Sequence, residues 1–241
     1  YDVKDVPHGQ VRMQWYYSKV TNLWRRAYVY VPPDYDDNPE QRYPVFILRH
    51  GGGEDETSWV EQGRANFIMD NLIAEGKARP MIVVMDWGDA PIPNQPIHIP
   101  DTPPHQEIGE VTINELIPMV DATFRTIPDR EHRAMAGSSM GSVQTLYFGL
   151  SNLDTFSSFG IFSRRPMSAK EFKNFDGVFA DADAFNQKVK LFWWGAGTAE
   201  EGIYYATKKN LAELDEIGIK TVFVEFPGTS HEWQTWRKSE N

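Results

Sequence analysis

The sequence predicts an α/β fold built on a mostly parallel, doubly wound sheet. Short apolar runs such as 45–48 are typical of strands buried on both faces, and they alternate with segments of helical spacing. Ahead of them, aromatic and β-branched residues at 11–17 and 24–31 flank a polar turn and predict an antiparallel hairpin. A Gly-x-Ser-x-Gly sequence at 137–141 lies between an apolar strand pattern and an apolar helix pattern, which is the context of a nucleophile elbow.

The remaining elements follow from the same patterns, taken along the chain. Further strands are predicted at 45–48, 81–85, 133–136, 159–162, 190–194 and 221–226, and helices at 67–73, 111–124, 143–150 and 204–217. Six prolines predict an irregular surface loop over residues 89–107, and Pro118 predicts a kink or a boundary in the second helix. No repeat or linker divides the chain, so we expect one catalytic domain over 1–241. Because the chain starts at Tyr1, we also expect that it was excised from a longer, secreted, multi-domain protein.

Composition excludes several classes of function. A net charge of −10 argues against nucleic acid and against anionic membranes, and no apolar run is long enough to span a bilayer. Cysteine is absent, which excludes disulfides, thiolate metal sites and a cysteine nucleophile. Neither a cofactor nor a metal is expected. An aromatic share of 13% favours a ligand site lined by rings, although a large core could bury most of them.

Ser139 is the candidate nucleophile. It lies centrally between Gly137 and Gly141, whereas its rival Ser138 does not. The two glycines leave room for a sharp strand-to-helix turn that holds the Ser139 hydroxyl clear of the backbone. With the alternating strands and helices, this elbow predicts the α/β-hydrolase fold.

A serine hydroxyl needs a base to take its proton and a carboxylate to orient that base. In this fold the chain order is serine, acid, histidine. His231 follows the last predicted strand and is the candidate base, whereas His132 precedes Ser139 among charged neighbours. Glu200 follows the strand ending at Trp194 and is the first choice for the acid, with Glu201 as the runner-up.

The oxyanion hole requires two N–H donors. One is expected to be the backbone amide of Met140, directly after the nucleophile. The other is expected in the glycine run after the first buried strand, at Gly52 or Gly53, with Gly52 preferred. Trp87 leaves a strand at its carboxyl end and Trp233 lies two residues after the candidate base, so both are candidate substrate contacts.

Three motifs together resemble the esterase-D-like group, and within it the bacterial feruloyl esterases of carbohydrate esterase family one. They are Ala-Gly-x-Ser-Met-Gly at 136–141, His-Gly-Gly-Gly at 50–53 and Ser-His-Glu-Trp-x-x-Trp at 230–236, and the similarity runs from about Val11 to Arg237. In that family the acid follows Gly-x-Gly-Thr, which supports Glu200. Two departures are Ser142, where relatives usually carry glycine, and Arg164-Arg165, where small residues are commoner. Two arginines at the carboxyl end of a strand face the active-site edge of the sheet, where the alternatives are contact with a substrate carboxylate or sugar, or solvation. We expect both to be solvated.

The resemblance implies a secreted or periplasmic serine esterase that releases ferulate-type acids from feruloylated arabinoxylan or its oligosaccharides. It also implies that a xylanase or carbohydrate-binding modules are attached. Acetyl-xylan esterase and acyltransferase activity on the same three residues are alternatives. A carbohydrate-binding pseudoenzyme that kept the fold is the non-enzymatic alternative, but such a module needs no base after the last strand.

Overall fold

One eight-stranded sheet is the centre of the computed structural model, which describes residues 2–91, 106–167, 172 and 175–240. The strands are β1 (Gln10–Ser18), β2 (Leu23–Val31), β3 (Val45–Arg49), β4 (Ile82–Asp86), β5 (Arg133–Ser138), β6 (Ser158–Phe162), β7 (Leu191–Gly197) and β8 (Val222–Phe226). β3 and β4 are apolar because both faces of each strand are covered, whereas β1 alternates exposed and buried residues at the edge of the sheet.

The strand order is β1-β2-β4-β3-β5-β6-β7-β8. β2 is antiparallel to both β1 and β4, and the other neighbours are parallel. From β3 the chain moves first to β4 on one side and then to β5 on the other. The loops that leave β3 and β5 therefore diverge, which is where open α/β sheets bind ligands. The predicted doubly wound sheet with an N-terminal hairpin is confirmed.

Helices cover both faces of this sheet. They are α1 (Ser58–Glu61), α2 (Ala65–Ala74), α3 (Gln106–Val111), α4 (Ile117–Thr123), α5 (Met140–Gln144), α6 (Ala182–Lys188), α7 (Glu201–Glu216) and α8 (Trp233–Glu240). π-helical turns at Thr112–Leu116 and Thr145–Gly149 continue α3 and α5. Among these described residues, no helix combines the length and the hydropathy required to cross a membrane.

Pro118 marks a change of helix type. It lies in the first turn of α4, directly after the first π-helical turn, and proline has no N–H to donate to the preceding turn. The predicted boundary therefore appears as a change of hydrogen bonding within a continuous helical segment. Most of the proline-rich loop predicted at 89–107 lies outside the described residues; residues 89–91 have no regular structure and α3 already begins at Gln106.

The core has two layers because successive residues of each strand point to opposite faces. On one face, Ile47, Val84 and Met135 pack with residues of the helical segment 106–123. On the other, Leu48 packs with residues of α1, α2 and α8, including Trp59.

Candidate active site

Ser139 lies at the sharp turn between β5 and α5. Its backbone has φ 49° and ψ −109°, outside the regions that serine ordinarily adopts, and its amide donates to the carbonyl of Phe162 at 2.9 Å. A Cβ at Gly137 would lie 2.5 Å from the carbonyl carbon of Gly141, and one at Gly141 would lie 2.6 Å from the Cβ of Arg49. The turn therefore requires glycine at both positions. Ser138 is wholly buried in β5, whereas Ser139 is half-buried.

His231 connects the serine to a carboxylate. Its Nε2 lies 2.9 Å from Ser139 Oγ, and its Nδ1 lies 2.9 Å from Glu200 Oε2. The ring also packs edge-on against the buried Trp236, with centroids 5.2 Å apart. A base in this position can take the serine proton while the carboxylate fixes its tautomer and stabilises its charged form.

Glu200 is held in place by two donors on its other oxygen. Oε1 accepts the hydroxyl of Ser163 and the amide of Gly197, each at 2.8 Å, and the carboxylate is fully buried. Glu201 is exposed in the first turn of α7. The geometry therefore selects Glu200 from the two predicted candidates. Sequence reasoning missed Ser163, which directly precedes the Arg164-Arg165 pair.

The expected oxyanion donors lie side by side. Gly51 to Gly53 follow β3, and a Cβ at Gly51 would lie 3.5 Å from the Cβ of Ser139. A Cβ at Gly52 would lie 3.9 Å from the Cβ of Met140. Met140 begins α5, where backbone amides have no partner within the helix. The arrangement brings both predicted segments next to the nucleophile, and Gly52 is exposed to an incoming substrate.

His50 supports the oxyanion loop, residues 51–53, through its ring nitrogens. The ring is buried; Nδ1 lies 2.7 Å from the carbonyl of Gly51, and Nε2 lies 2.7 Å from the amide of Gly88. The Gly88 amide donates to Nε2, so Nδ1 is the ring nitrogen that donates to the Gly51 carbonyl. Gln144 of α5 donates to the carbonyl of Gly88 at 2.7 Å. These bonds join the loops after β3 and β4 to the helix that begins at the nucleophile.

Glu54 is a second carboxylate at the site that sequence reasoning missed. It accepts the amide of Gly51 at 2.7 Å and is half-buried. Burial raises the pKa of Glu54, and the Gly51 hydrogen bond, the rings of His50 and His231 and a hydrogen bond from Trp233 oppose that rise. Glu54 thus supports the oxyanion loop and places negative charge near the base. Its place directly after the glycine run, three residues after Gly51, was the available signal.

A buried group of charges lies beneath the loop after β4. Arg49 Nη1 lies 2.6 Å from Asp86 Oδ1, and Arg25 Nη2 lies 3.9 Å from Asp86 Oδ2. Arg25 also donates to the carbonyl of Trp87, and its guanidinium lies 5.4 Å from the centroid of the Trp87 ring. Trp87 is half-buried, so a substrate can approach only the part of the ring that Arg25 leaves open. Its predicted role as a substrate contact remains a prediction.

Trp233 is held among other rings. It packs edge-to-face against Trp59 and Trp236, with both centroid distances 5.0 Å. It is half-buried, and its role in substrate binding also remains a prediction. Trp236 itself is buried in the core.

Arg164 is a correction to the sequence-based expectation. It is 7% exposed, and its Nη1 donates to the carbonyl of Arg165 at 2.9 Å, so the expectation that it is solvated is wrong. Arg165 is exposed, as expected. Across the described ranges, no group of three or more histidine, aspartate or glutamate side chains is arranged to hold a metal ion.

The fold and the Ser139–His231–Glu200 arrangement define a serine hydrolase of the α/β-hydrolase class. The model of the family named Esterase matches residues 18–239, and the chain belongs to this family. It is a serine esterase by class.

Comparison with known proteins gives more specific similarities. An endo-1,4-beta-xylanase/feruloyl esterase of Xylanibacter ruminicola is 36% identical over 241 residues, which is 98% of this chain and 31% of that protein. Endo-1,4-beta-xylanase Y of Acetivibrio thermocellus is 31% identical over 140 residues, covering 52% of this chain and 12% of that protein. A solved ferulic acid esterase superposes with a TM-score of 0.82 at 25% identity, covering 96% and 95% of the two chains. The chain thus spans about a third or less of the length of these two curated relatives.

Proposed function

We propose that the chain is a feruloyl esterase that releases hydroxycinnamic acids from feruloylated arabinoxylan through an acyl-enzyme. The observation that carries the proposal is the Ser139–His231–Glu200 geometry, with both hydrogen bonds at 2.9 Å. The choice of ester is supported by the similarity, over 98% of this chain, to a protein described as a xylanase and feruloyl esterase.

The reaction follows from the positions of these groups. Ser139 Oγ attacks the ester carbonyl as His231 Nε2 takes its proton, and Glu200 stabilises the imidazolium that forms. The amides of Met140 and Gly52 donate to the oxyanion of the tetrahedral intermediate. The imidazolium then protonates the leaving sugar alkoxide, the acyl group remains on Ser139, and water activated by His231 releases the acid in the second half of the cycle.

The aromatic acyl group is proposed to contact Trp87 and Trp233. Aromatic pairs contribute about 0.5–1.5 kcal/mol beyond the burial of their area, which corresponds to about two- to tenfold in rate. An acetyl group gains almost none of this. We also propose that the protein acts outside the cytoplasm, secreted or periplasmic and joined to xylanase or carbohydrate-binding modules, because arabinoxylan is an extracellular polymer.

The test compares kcat/KM on methyl ferulate and on a short acetyl ester, with Ser139→Ala as the blank. We expect a higher kcat/KM on methyl ferulate than on the acetyl ester. Trp87→Ala or Trp233→Ala should reduce the ratio of these two kcat/KM values by a larger factor than it reduces kcat/KM on the acetyl ester. Equal turnover of both esters, unchanged by either substitution, would contradict the feruloyl assignment and favour an acetyl or general esterase. Transfer of the acyl group to an added alcohol in place of release of ferulic acid would favour an acyltransferase.

A further inference from the structure

The tip of the β1–β2 hairpin exposes three large aromatic side chains on one face. Trp15, Tyr17 and Trp24 are 50%, 49% and 67% exposed. Single apolar residues on a surface need no explanation, but a contiguous group of them marks a binding surface. Contact of these apolar rings with water is unfavourable in free energy, so a ligand that covers them gains free energy from their burial.

The register of the hairpin brings these residues together. Trp15 lies directly opposite Arg26, and Tyr17 lies directly opposite Trp24, so all four side chains point to the same face. The Arg26 guanidinium lies 5.6 Å from the centroid of Trp15, and the rings of Tyr17 and Trp24 meet edge-to-face at 5.7 Å. These contacts hold the rings in place before any ligand binds. We call Trp15, Tyr17, Trp24 and Arg26 the hairpin aromatic surface.

The hairpin aromatic surface lies at the same edge of the sheet as the catalytic residues. β4 pairs with β2 only from Ala27 onward, and Ala27 lies opposite Asp86, the last residue of β4. The four residues before Ala27 therefore extend past the carboxyl end of β4 by about 13 Å, at about 3.3 Å per residue. Arg26 pairs with Glu56, in the loop that continues from the oxyanion glycines through Glu54. The surface is thus continuous with the rim of the active site.

The size and charge of this surface favour a thin, uncharged ligand. An aromatic side chain presents roughly 150–250 Å², so the three rings, 50%, 49% and 67% exposed, together expose about 250–400 Å². That is well below the roughly 800 Å² per partner of a stable protein interface. The net charge of −10 disfavours polyanions, and Arg26 is already paired with Glu56. A linear polysaccharide is narrow and uncharged, and its sugar rings present C–H faces that stack on exposed aromatic rings.

We propose that the hairpin aromatic surface binds the main chain of the polysaccharide whose ester is cleaved at Ser139, a neutral xylan-type chain. The choice of xylan rests on the proposed function. Binding there holds the polymer beside the site and raises the local concentration of its esters without contacting the reacting atoms. A small ester such as methyl ferulate has no main chain and cannot use this surface.

The binding test uses the Ser139→Ala background, in which the polymer is not consumed. Affinity for soluble xylan without ester groups is measured for the parent and for a Trp15→Ala/Trp24→Ala variant. The control is Tyr205→Ala, which removes another exposed ring, 69% exposed on α7. We expect Kd to rise about tenfold in the double variant and to stay within twofold in the control. The two single variants decide the result if the double variant does not fold.

The activity test uses the active enzyme with the same substitutions. In the double variant we expect kcat/KM to fall several-fold on feruloylated arabinoxylan and to stay within twofold on methyl ferulate. Unchanged xylan affinity, an equal loss in the Tyr205 control, or a dimer that the double variant dissociates in light scattering would overturn the proposal. A parent enzyme that fails to hydrolyse methyl ferulate overturns the proposed function instead, and the xylan binding measurement then still decides the role of the hairpin.

Discussion

Replacing Glu200 with glutamine tests the catalytic arrangement most sharply, because both carboxylate oxygens have defined partners. Oε1 accepts from Ser163 and Gly197, and Oε2 faces Nδ1 of His231. If the glutamine amide keeps its oxygen at the position of Oε1, its NH₂ group faces Nδ1 of His231. The imidazole then carries its proton on Nε2 and cannot accept the proton of Ser139. The flipped amide points its NH₂ at the Gly197 amide and leaves that buried donor without an acceptor.

Either orientation removes the negative charge that stabilises the imidazolium. The corresponding aspartate-to-asparagine change in serine proteases lowers kcat by about 10⁴-fold. We therefore expect Glu200→Gln to lower kcat by about 10³- to 10⁴-fold, or about 4–5.5 kcal/mol of transition-state stabilisation. The assay is turnover of methyl ferulate, with thermal unfolding as the check on folding. Glu201→Gln is the matched control and should stay within twofold. A loss below tenfold in Glu200→Gln, or equal losses in both variants, would refute this reasoning.

Three further substitutions test the nucleophile and its supports. Ser139→Ala should abolish ester turnover with an unchanged thermal unfolding midpoint, and Ser138→Ala should not; the reverse result would reassign the nucleophile. Asp86→Ala should lower the free energy of unfolding in denaturant by about 3–5 kcal/mol, because it leaves two buried arginines without their counter-charge; a loss below about 1 kcal/mol would contradict this. Glu54→Gln should lower kcat/KM. The difference in kcat/KM between variant and wild type should shrink as the pH falls through the raised pKa of Glu54, because protonation removes the charge that distinguishes the two side chains. A difference independent of pH would show that this charge has no effect on turnover.

The fold could be predicted wherever local pattern and final environment agree. Strands such as β3 and β4 are apolar because both faces are buried, so their sequences alone identify them. The end of β7 could not be predicted in this way. Gly195 to Gly197 reads as a turn, yet it continues the strand, because Gly197 pairs with Phe226 of β8. A Cβ at Gly197 would also overlap the carbonyl of Thr229. The short helix α6 was missed because two turns carry too little periodicity to detect.

The candidate site likewise contains residues that the sequence predicts and residues that it does not. Ser139, His231 and Glu200 could be predicted because the chain order of the fold fixes which loop carries each residue. Their supports could not, since they depend on which loops meet in space. Ser163 reaches Glu200 across 37 positions of the chain, and His50 reaches Gly88 across 38. Sequence patterns of helices and strands carry no information about such contacts between loops.

The residues that hold the oxyanion loop and Glu200 in place serve the chemistry of the site and are distinct from the residues proposed to select the substrate. Each part of the catalytic arrangement is held from more than one side: the oxyanion loop by His50 and Glu54, and the acid by Ser163 and Gly197. Donors fixed in this way need no reorganisation when the oxyanion forms, which is the condition for electrostatic stabilisation of a transition state. The aromatic residues of the hairpin tip are not among these supports, and the Arg26–Glu56 ion pair joins their surface to the loop that carries Glu54. Changes at the hairpin should therefore alter which polymer is held beside the site while the turnover of a small ester stays constant.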